Sequence, residues 1–274
     1  MKVDLHTHTS ASDGELSAAS LIQRAEAAGI EMLAITDHDT VAAYSDNGKL
    51  MLKTGRLITG IEFSSQWKKT GVHIVGLNIS LESDSIKEGV LHQSQARRDR
   101  AMRIAEKLEK LGIENVWKNV EAIAGDSVIG RPHFARFLVE SGVCNSIRQA
   151  FSSYLGAGKT GDVKQFWAPY EKIITWVREA GGVAVLAHPE KYKLTRTKLS
   201  LLLDDFQDAG GEAMEVVSGK QSKDITEKLS RLCCQKNLLA SVGSDFHQPG
   251  QSWSELGQTS ALPGECKTVW GRWS

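Results

Sequence analysis

Short apolar runs alternate along this chain with stretches of helical periodicity. Val3–Leu5, Met32–Thr36, Leu57–Phe63 and Val72–Ile79 read as strands in the first third. Val183–Ala187, Ala213–Val217 and Leu239–Val242 read as strands in the last third. Ser17 is placed to cap a helix that runs through Ala28, and Gly29 to end it. A further helix is expected over Val41–Lys53, and others over Pro169–Ala180, Lys198–Ala209 and Asp224–Lys236, each just ahead of a late strand. This β–α alternation predicts an α/β protein with a mainly parallel sheet closed into a barrel.

The rhythm breaks in the middle. From about Ser83 to Leu155 the pattern is helical only, over Ser85–Leu111, Val116–Ala124, Pro132–Ser141 and Ser146–Leu155. A glycine-rich stretch, Gly156–Gly161, follows. Residues 99–162 therefore read as a helical insertion that caps one face of a barrel built from residues 1–98 and 163–274. The length of 274 residues suits one large domain carrying such an insertion, and 41% apolar residues suffice for its core.

Formal net charge is zero, which excludes a global basic field for long nucleic acids, so a nucleic-acid partner must be gripped locally. Cys144, Cys233, Cys234 and Cys266 form no CxxC pair and read as reduced thiols of a cytoplasmic protein. The start, MKVDLHTHTS, has no apolar segment of the signal-peptide kind, and no run approaches the length of a membrane span. A cytoplasmic location without membrane contact or an obligate protein partner is the expectation.

The chemistry lies in the placement of the eight histidines. His6 and His8 sit in DLHTHTSASDG after the first expected strand, His38 in ITDHDT after the second, His188 in LAHP and His247 in GSDFH after later ones. His73 follows Glu62 of GIEFS by eleven residues and opens its strand instead of closing it. In a parallel barrel the C-terminal strand ends meet on one face, so these residues converge. Two positions apart on an extended segment, His6 and His8 point the same way. Asp13, Asp37, Glu62 and Asp245 bring carboxylates to the same rim. Such a mixed N/O donor set favours Mn, Fe or Zn over Ca or Mg. Each motif alone is weak, since His-x-His is often incidental and His-Pro is a common loop dipeptide. Their shared position at strand ends is the signal; His133 lies in GRPHF inside the insertion, and only His92 belongs to no motif.

DLHTHTSASDG, TDHDT, the glutamate of GIEFS, the histidine of GVHIVGL, AHP and GSDFH together resemble the motif series of the PHP (polymerase and histidinol phosphatase) family, in order and over essentially the whole chain. The resemblance implies a distorted (β/α)7 TIM-like barrel with two or three divalent metal ions, manganese foremost and iron or zinc as substitutes. Carried over residue by residue, it places one ion on His6, His8, Glu62 and Asp245, a second on Asp13, His38 and His247, and a third on Glu62, His73 and His188. Beside His38, Asp37 reads as the partner that orients an imidazole and Asp39 as a helix cap.

Phosphate is favoured over an amide as substrate by the cations of the insertion. Ala96–Lys110 carries Arg97, Arg98, Arg100, Arg103, Lys107 and Lys110, most of which read as a solvated helix face. Arg97 and Arg100 share one side of that helix. Arg131 and His133 stand at a helix start, where backbone N–H groups favour an anion. Resemblance to the PHP subgroup with this insertion implies that Arg97, Arg100, Arg131 and His133 clamp substrate phosphate. Lys159 is a further candidate in its glycine-rich loop, which lacks P-loop spacing. Phe134, Phe151, Phe166 and Trp167 are either stacking or core residues.

That subgroup implies two substrates: nucleoside 3′,5′-bisphosphates losing the 3′-phosphate, and short 5′-phosphorylated RNA trimmed 5′→3′. Both need water activated for in-line attack at phosphorus. His188, Asp245 or a metal ligand water is the candidate proton donor to the leaving oxygen. The alternatives are a histidinol-phosphate-type phosphatase, a non-catalytic PHP module and an amidohydrolase. The tail, Leu262–Ser274 with Trp270 and Trp273, is expected to pack on the barrel or in an oligomer contact.

Overall fold

A computed structural model describes residues 1–45, 50–163 and 166–273. Seven strands form one sheet in chain order: β1 (Val3–Asp4), β2 (Met32–Ile35), β3 (Arg56–Trp67), β4 (Thr70–Leu77), β5 (Val183–Leu186), β6 (Ala213–Ser218) and β7 (Leu239–Gly243). Leu5 N–H donates to the Val242 carbonyl at 2.9 Å, and Thr7 bridges Phe246, which joins the first strand to the last. Every residue of β2, β5 and β6 is buried, as expected of strands covered on both faces.

The sheet is mixed, which corrects the expectation at one strand. β4 runs antiparallel to both β3 and β5, while the other pairs are parallel. The cause is the connection. Only Lys68 and Lys69 separate β3 from β4, and a parallel return needs a crossover of roughly a dozen residues. Lys68 at φ +54° supplies the left-handed step such a tight hairpin requires. Because β4 is reversed, it begins at the rim where the parallel strands end. This accounts for His73, which opens its strand and still reaches the common face, paired in register with Ser64.

The described residues form eight α-helices: α1 (Ala18–Ala27), α2 (Asp84–Glu109), α3 (Val116–Ala124), α4 (Arg131–Glu140), α5 (Ile147–Ala150), α6 (Tyr170–Glu179), α7 (Arg196–Asp208) and α8 (Lys223–Gln235). Ser17 caps α1 by accepting from Ser20 N–H, and Gly29 beyond it has φ +70°. The helix expected over Val41–Lys53 is not formed. Ala42–Tyr44 make a single 3₁₀ turn, residues 46–49 lie outside the described residues, and 50–53 are not helical. Tyr44 explains the stop. Its hydroxyl donates to the Ile35 carbonyl at 2.6 Å and accepts from Gly60 N–H at 2.9 Å, which staples the turn to the β2–β3 rim.

Two cores stand apart. Barrel strands and their helices bury Phe63, Ile74, Trp176, Leu203 and Phe206 among others. Residues 101–163 bury a set of their own, with Ile104, Leu108, Val120, Phe134, Leu138 and Leu155. α2 serves both: Ile86 belongs to the first core, and Ala101, Ile104 and Leu108 to the second. The boundary expected at residue 99 thus falls inside one continuous helix of 26 residues. The tail packs on the barrel. Val269, Trp270 and Trp273 join Val3, Leu5 and Met32 in the interior cluster, and Thr268 bridges Ala240.

Gly89 is where α2 meets the barrel. A Cβ there would stand 2.9 Å from Trp176 Cε3 and 3.0 Å from Phe63 Cζ, both on buried rings. Replacing a helical glycine by alanine ordinarily gains about 1 kcal/mol. Here the overpacking term, about 1–3 kcal/mol, opposes it. Gly89→Ala is expected to lower the urea midpoint at unchanged m-value; a raised midpoint would show that the Trp176 ring yields freely.

Candidate metal centre

The donor side chains gather at the rim where β1, β2, β5 and β7 end, and where β4 begins. Glu62 lies within β3, paired in parallel with His38: Glu62 N–H donates to Asp37 carbonyl at 3.1 Å and Asp39 N–H to Glu62 carbonyl at 2.9 Å. His6 approaches β7 so closely that a Cβ on Gly243 would fall 2.2 Å from its own Cβ, so only glycine fits there. His188 and Asp245 turn inward from left-handed backbone, at φ +28° and +55°.

His6 Nε2 and His8 Nε2 face each other at 3.1 Å. Glu62 Oε2 stands 3.3 and 3.4 Å from them, and Asp245 Oδ1 3.5 and 3.2 Å. A tetrahedral shell with metal–ligand distances of about 2.1 Å has edges of about 3.4 Å, so His6, His8 and Asp245 are spaced as ligands of one ion, with Glu62 Oε2 beside both imidazoles. A second group joins His8, Asp13, His38 and His247, with His247 Nε2 3.3 Å from Asp13 Oδ1. In a third, Glu62 Oε1 lies 2.7 Å from His73 Nδ1 and 3.0 Å from His188 Nε2. The groups overlap more than the expected partition allows: His8 joins the second, His6, His8 and Asp245 gather without Glu62, and Glu62 stands with His6 and His188 and again with His38 and His73.

The unpaired atoms test the fit of cations here. His8 Nδ1, His38 Nδ1 and Glu62 Oε2 are buried without a hydrogen-bond partner. His38 Nδ1 is 2.8 Å from Glu62 Oε2, yet their mutual angle does not make a hydrogen bond. Leaving such atoms unsatisfied costs about 1–3 kcal/mol each, and coordination of a divalent ion satisfies them. Charges agree. Burial alone would raise Glu62, but His38, His73 and His6 hold it well below the usual carboxylate range. Burial likewise opposes Asp13, which His38 and His247 keep well below that range. Burial and the neighbouring His247 push His8 down to about 3, a neutral imidazole with a free lone pair. Against its burial, Asp13 lifts His247 to about 9, and a bound cation displaces that proton.

A cavity of about 530 Å³ opens beside these groups and is lined by Asp13, His38, His73, Arg97, Arg100 and Arg131, among others. Arg97 Nε donates to Asp39 Oδ2 at 2.6 Å and Nη2 to Ser64 Oγ at 3.0 Å. Arg100 Nε donates to Val163 carbonyl at 2.6 Å, and Arg131 Nη1 to Leu155 carbonyl at 3.2 Å. Burial lowers Arg100 to about 9, and the like charges of Arg131 and Arg97 add to the shift. Trp167 backs the pair, its ring 5.3 Å from the Arg97 guanidinium carbon and 5.1 Å from that of Arg100.

A profile of the PHP domain matches residues 4–118. The chain is 42% identical over 273 residues to the 5′-3′ exoribonuclease Rnm of Escherichia coli (strain K12), covering 98% of this chain and 93% of that one. It is 37% identical over 270 residues to the 3′,5′-nucleoside bisphosphate phosphatase of Chromobacterium violaceum, covering 98% and 95%. The chain belongs to the PHP family. The PHP fold is also seen in its structural neighbours. A Chromobacterium violaceum structure described as an amidohydrolase with bound sulfate and no metal superposes with TM-score 0.90 at 37% identity, covering 99% of this chain and 95% of that one. A structure assigned to a metal-dependent phosphoesterase of Bifidobacterium adolescentis gives 0.78 at 27% identity, covering 97% and 92%.

Several residues around this PHP centre depart from the sequence reading. Asp39 is no helix cap. It sits at φ +54° as the counterion of Arg97, and also accepts from Gln93 Nε2 at 2.9 Å and Ser64 N–H at 2.7 Å. Asp37 was expected to orient an imidazole; its carboxylate instead accepts from Thr9 N–H, Thr9 Oγ1 and Ser12 Oγ at 2.7, 2.6 and 2.6 Å, bracing the His8–Asp13 loop. His133 faces a neighbouring groove with Ser10 and Asp13 instead of the arginine cavity, and its Nδ1 accepts from Gly130 N–H at 3.0 Å to cap α4. Lys159 is exposed, and its loop reaches the cavity through Ala157. Phe151 and Trp167 line the cavity, Phe134 is buried in the second core, and Phe166 packs against it.

Two partners escaped the sequence reading. Glu215 of β6 is buried, with Oε1 2.5 Å from His6 Nδ1 and Oε2 accepting from His188 N–H at 2.7 Å. Its one signal was a carboxylate inside the apolar run AMEVVS. Lys191 pairs with Asp245 Oδ2 and is raised by that charge against its own burial. Glu215 fixes the tautomer that aims His6 Nε2 at the centre, a role that commonly carries 10–100-fold in metal affinity. Glu215→Ala is expected to weaken Mn binding by about that factor in a chelator-competition titration, with unchanged far-UV circular dichroism. Wild-type affinity in the variant would remove Glu215 from the centre.

Proposed function

We propose that the protein is a metal-dependent phosphoesterase that removes the 3′-phosphate of nucleoside 3′,5′-bisphosphates and trims short 5′-phosphorylated RNA from its 5′ end. The observation that carries this is one cavity shared by three guanidinium groups and the metal-donor side chains. An amidohydrolase has no use for that concentration of buried positive charge, whereas a substrate with two phosphates does. The names of the Escherichia coli and Chromobacterium violaceum relatives cover both substrates, and the Chromobacterium violaceum structure that superposes on this chain carries bound sulfate, an anion of phosphate shape.

In this reading His6, His8, Glu62 and Asp245 hold one divalent ion, Asp13, His38 and His247 a second, and Glu62, His73 and His188 a third. Manganese is the working ion, and the reduced thiols suit a cytoplasmic enzyme. Bound ions supply Lewis acidity and lower the pKa of water to near neutrality. The protein's own groups do the rest. Residues 99–162 close over the substrate as a cap. Arg97, Arg100 and Arg131 hold the 5′-phosphate and fix the distance to the 3′ phosphorus, with Asp39, Ser64 and the Val163 and Leu155 carbonyls keeping the guanidiniums in place. Lys191 and His6 keep Asp245 ionised against its burial, so Asp245 acts as a ligand. When the third ion is absent, His188, whose Nε2 faces Glu62 at 3.0 Å, is the group that delivers a proton to the leaving oxygen. His133 supports this clamp indirectly by capping the helix that begins with Arg131. Lys159 meets substrate only where RNA extends beyond the cavity.

Protein loaded with Mn, offered adenosine 3′,5′-bisphosphate and a short 5′-phosphorylated RNA, is expected to release phosphate and 5′-mononucleotides, and His8→Ala to release neither. Silence of the loaded wild type on both would sink the nucleotide reading. Arg131→Ala is expected to reduce kcat/KM for 5′-phosphorylated substrates by about 10- to 150-fold, the worth of one charge-assisted hydrogen bond. Substrates lacking the 5′-phosphate should change far less, and equal losses on both would rule out the clamp.

A further inference from the structure

An RNA substrate, unlike a nucleoside bisphosphate, continues past the scissile phosphate and needs a path away from the centre. Two directions come into question. One is the groove beyond Asp13, about 640 Å³, where Glu15 and Asp126 face Arg136 and His133. Burial holds His133 below the usual imidazole range, so the groove's carboxylates outnumber its cations and disfavour a polyanion.

The other direction leads past the ends of β6 and β7, where Gly219 follows one strand and Ser244 the other. Trp253 stands there 63% exposed, and no other described tryptophan is exposed. Its main chain is nevertheless pinned. Lys220 N–H donates to the Trp253 carbonyl at 2.8 Å, and Gly219 N–H to the Gly243 carbonyl at 2.8 Å. Gly219, at φ +59°, is packed so tightly that a Cβ would fall 2.3 Å from the Trp253 oxygen and 3.3 Å from the Ser244 oxygen. The loop is thus braced against the residue next to Asp245 while its largest apolar side chain is left in water. Lys220 beside it is exposed, and the nearby carboxylate of Glu255 is already engaged by Arg24 at 3.0 and 3.1 Å. A rigid exposed indole next to an unpaired ammonium is the combination that binds single-stranded nucleic acid, by stacking on any base and attracting the backbone.

We propose that Trp253, with Lys220, is a stacking platform for the nucleotides on the 3′ side of the scissile bond. The inference rests on the phosphoesterase reading above and adds a residue that separates its two substrates. A nucleoside bisphosphate ends at its 3′-phosphate and does not reach the platform; an oligonucleotide does.

The test compares wild type, Trp253→Ala and Trp253→Phe on adenosine 3′,5′-bisphosphate and on a 5′-phosphorylated tetranucleotide RNA. A second arm measures binding of the same RNA, labelled at its 3′ end, by fluorescence anisotropy in chelator. Trp253→Ala is expected to lose about 5- to 150-fold in kcat/KM and in affinity for the RNA, while the bisphosphate stays within about two-fold. Trp253→Phe, which keeps a ring, should recover most of the loss. Equal effects on both substrates, or an unchanged RNA, would overturn the platform and leave Trp253 as a contact for another protein. If wild type cleaves neither substrate, the activity reading fails by itself, and the anisotropy comparison alone decides the platform.

Discussion

The carboxylate of Glu62 is the constraint around which the rim is arranged. It is fully buried, and its two oxygens face different sets of imidazoles. A carboxylate so placed stays charged only if several cationic or metal-bound partners surround it. Those partners come from four other segments of the chain, so the barrel must bring every one of them to the same few ångströms. Closure of β7 on β1 carries His6 and His8 to Asp245, and the pairing of His38 with Glu62 brings in β2. The glycine at 243 and the left-handed turns at 188 and 245 are local consequences of that crowding.

A second cluster of like charge faces the first across the cavity. Arg97, Arg100 and Arg131 repel one another, and burial strengthens the repulsion. Each is held by a fixed acceptor: a carboxylate for Arg97 and main-chain carbonyls for the others. Negative donors at the rim and positive donors on the insertion give the cavity opposite signs on its two sides. That polarity suits a substrate whose phosphates differ in role, one held and one attacked.

Much of this was legible in the sequence, because strand-end motifs are local. His6, His8, Glu62, His188 and Asp245 could be placed on one face from the period of the strands alone. What escaped reading depended on tertiary geometry. The reversal of β4 followed from a two-residue connection that apolar patterning does not register, yet it explains why His73 looked irregular. Glu215 sits in an apolar strand whose sequence gives no hint that its side chain points inward. Asp39 carries the signature of a cap, and its use as the Arg97 counterion required knowing where α2 passes. His133 shares a motif with Arg131, but two positions along a helix point about 200° apart, so the two side chains serve different faces.

The same reversal has a consequence for how the helices of the second core are mounted. Since β4 starts at the rim, it ends at the opposite face, and α2 sets out from there. Its 26 residues span about 39 Å, enough to climb the flank of the barrel and rise above the metal centre. α2 is therefore a mast, footed on Trp176 at Gly89 and carrying Arg97 and Arg100 partway up. Its height and rotation are locked together, because one residue added or removed between foot and arginines turns them by about 100°. The loops between the other helices of the second core can vary in length and leave Arg97 and Arg100 where they are, whereas the eight steps from Gly89 to Arg97 form a ruler.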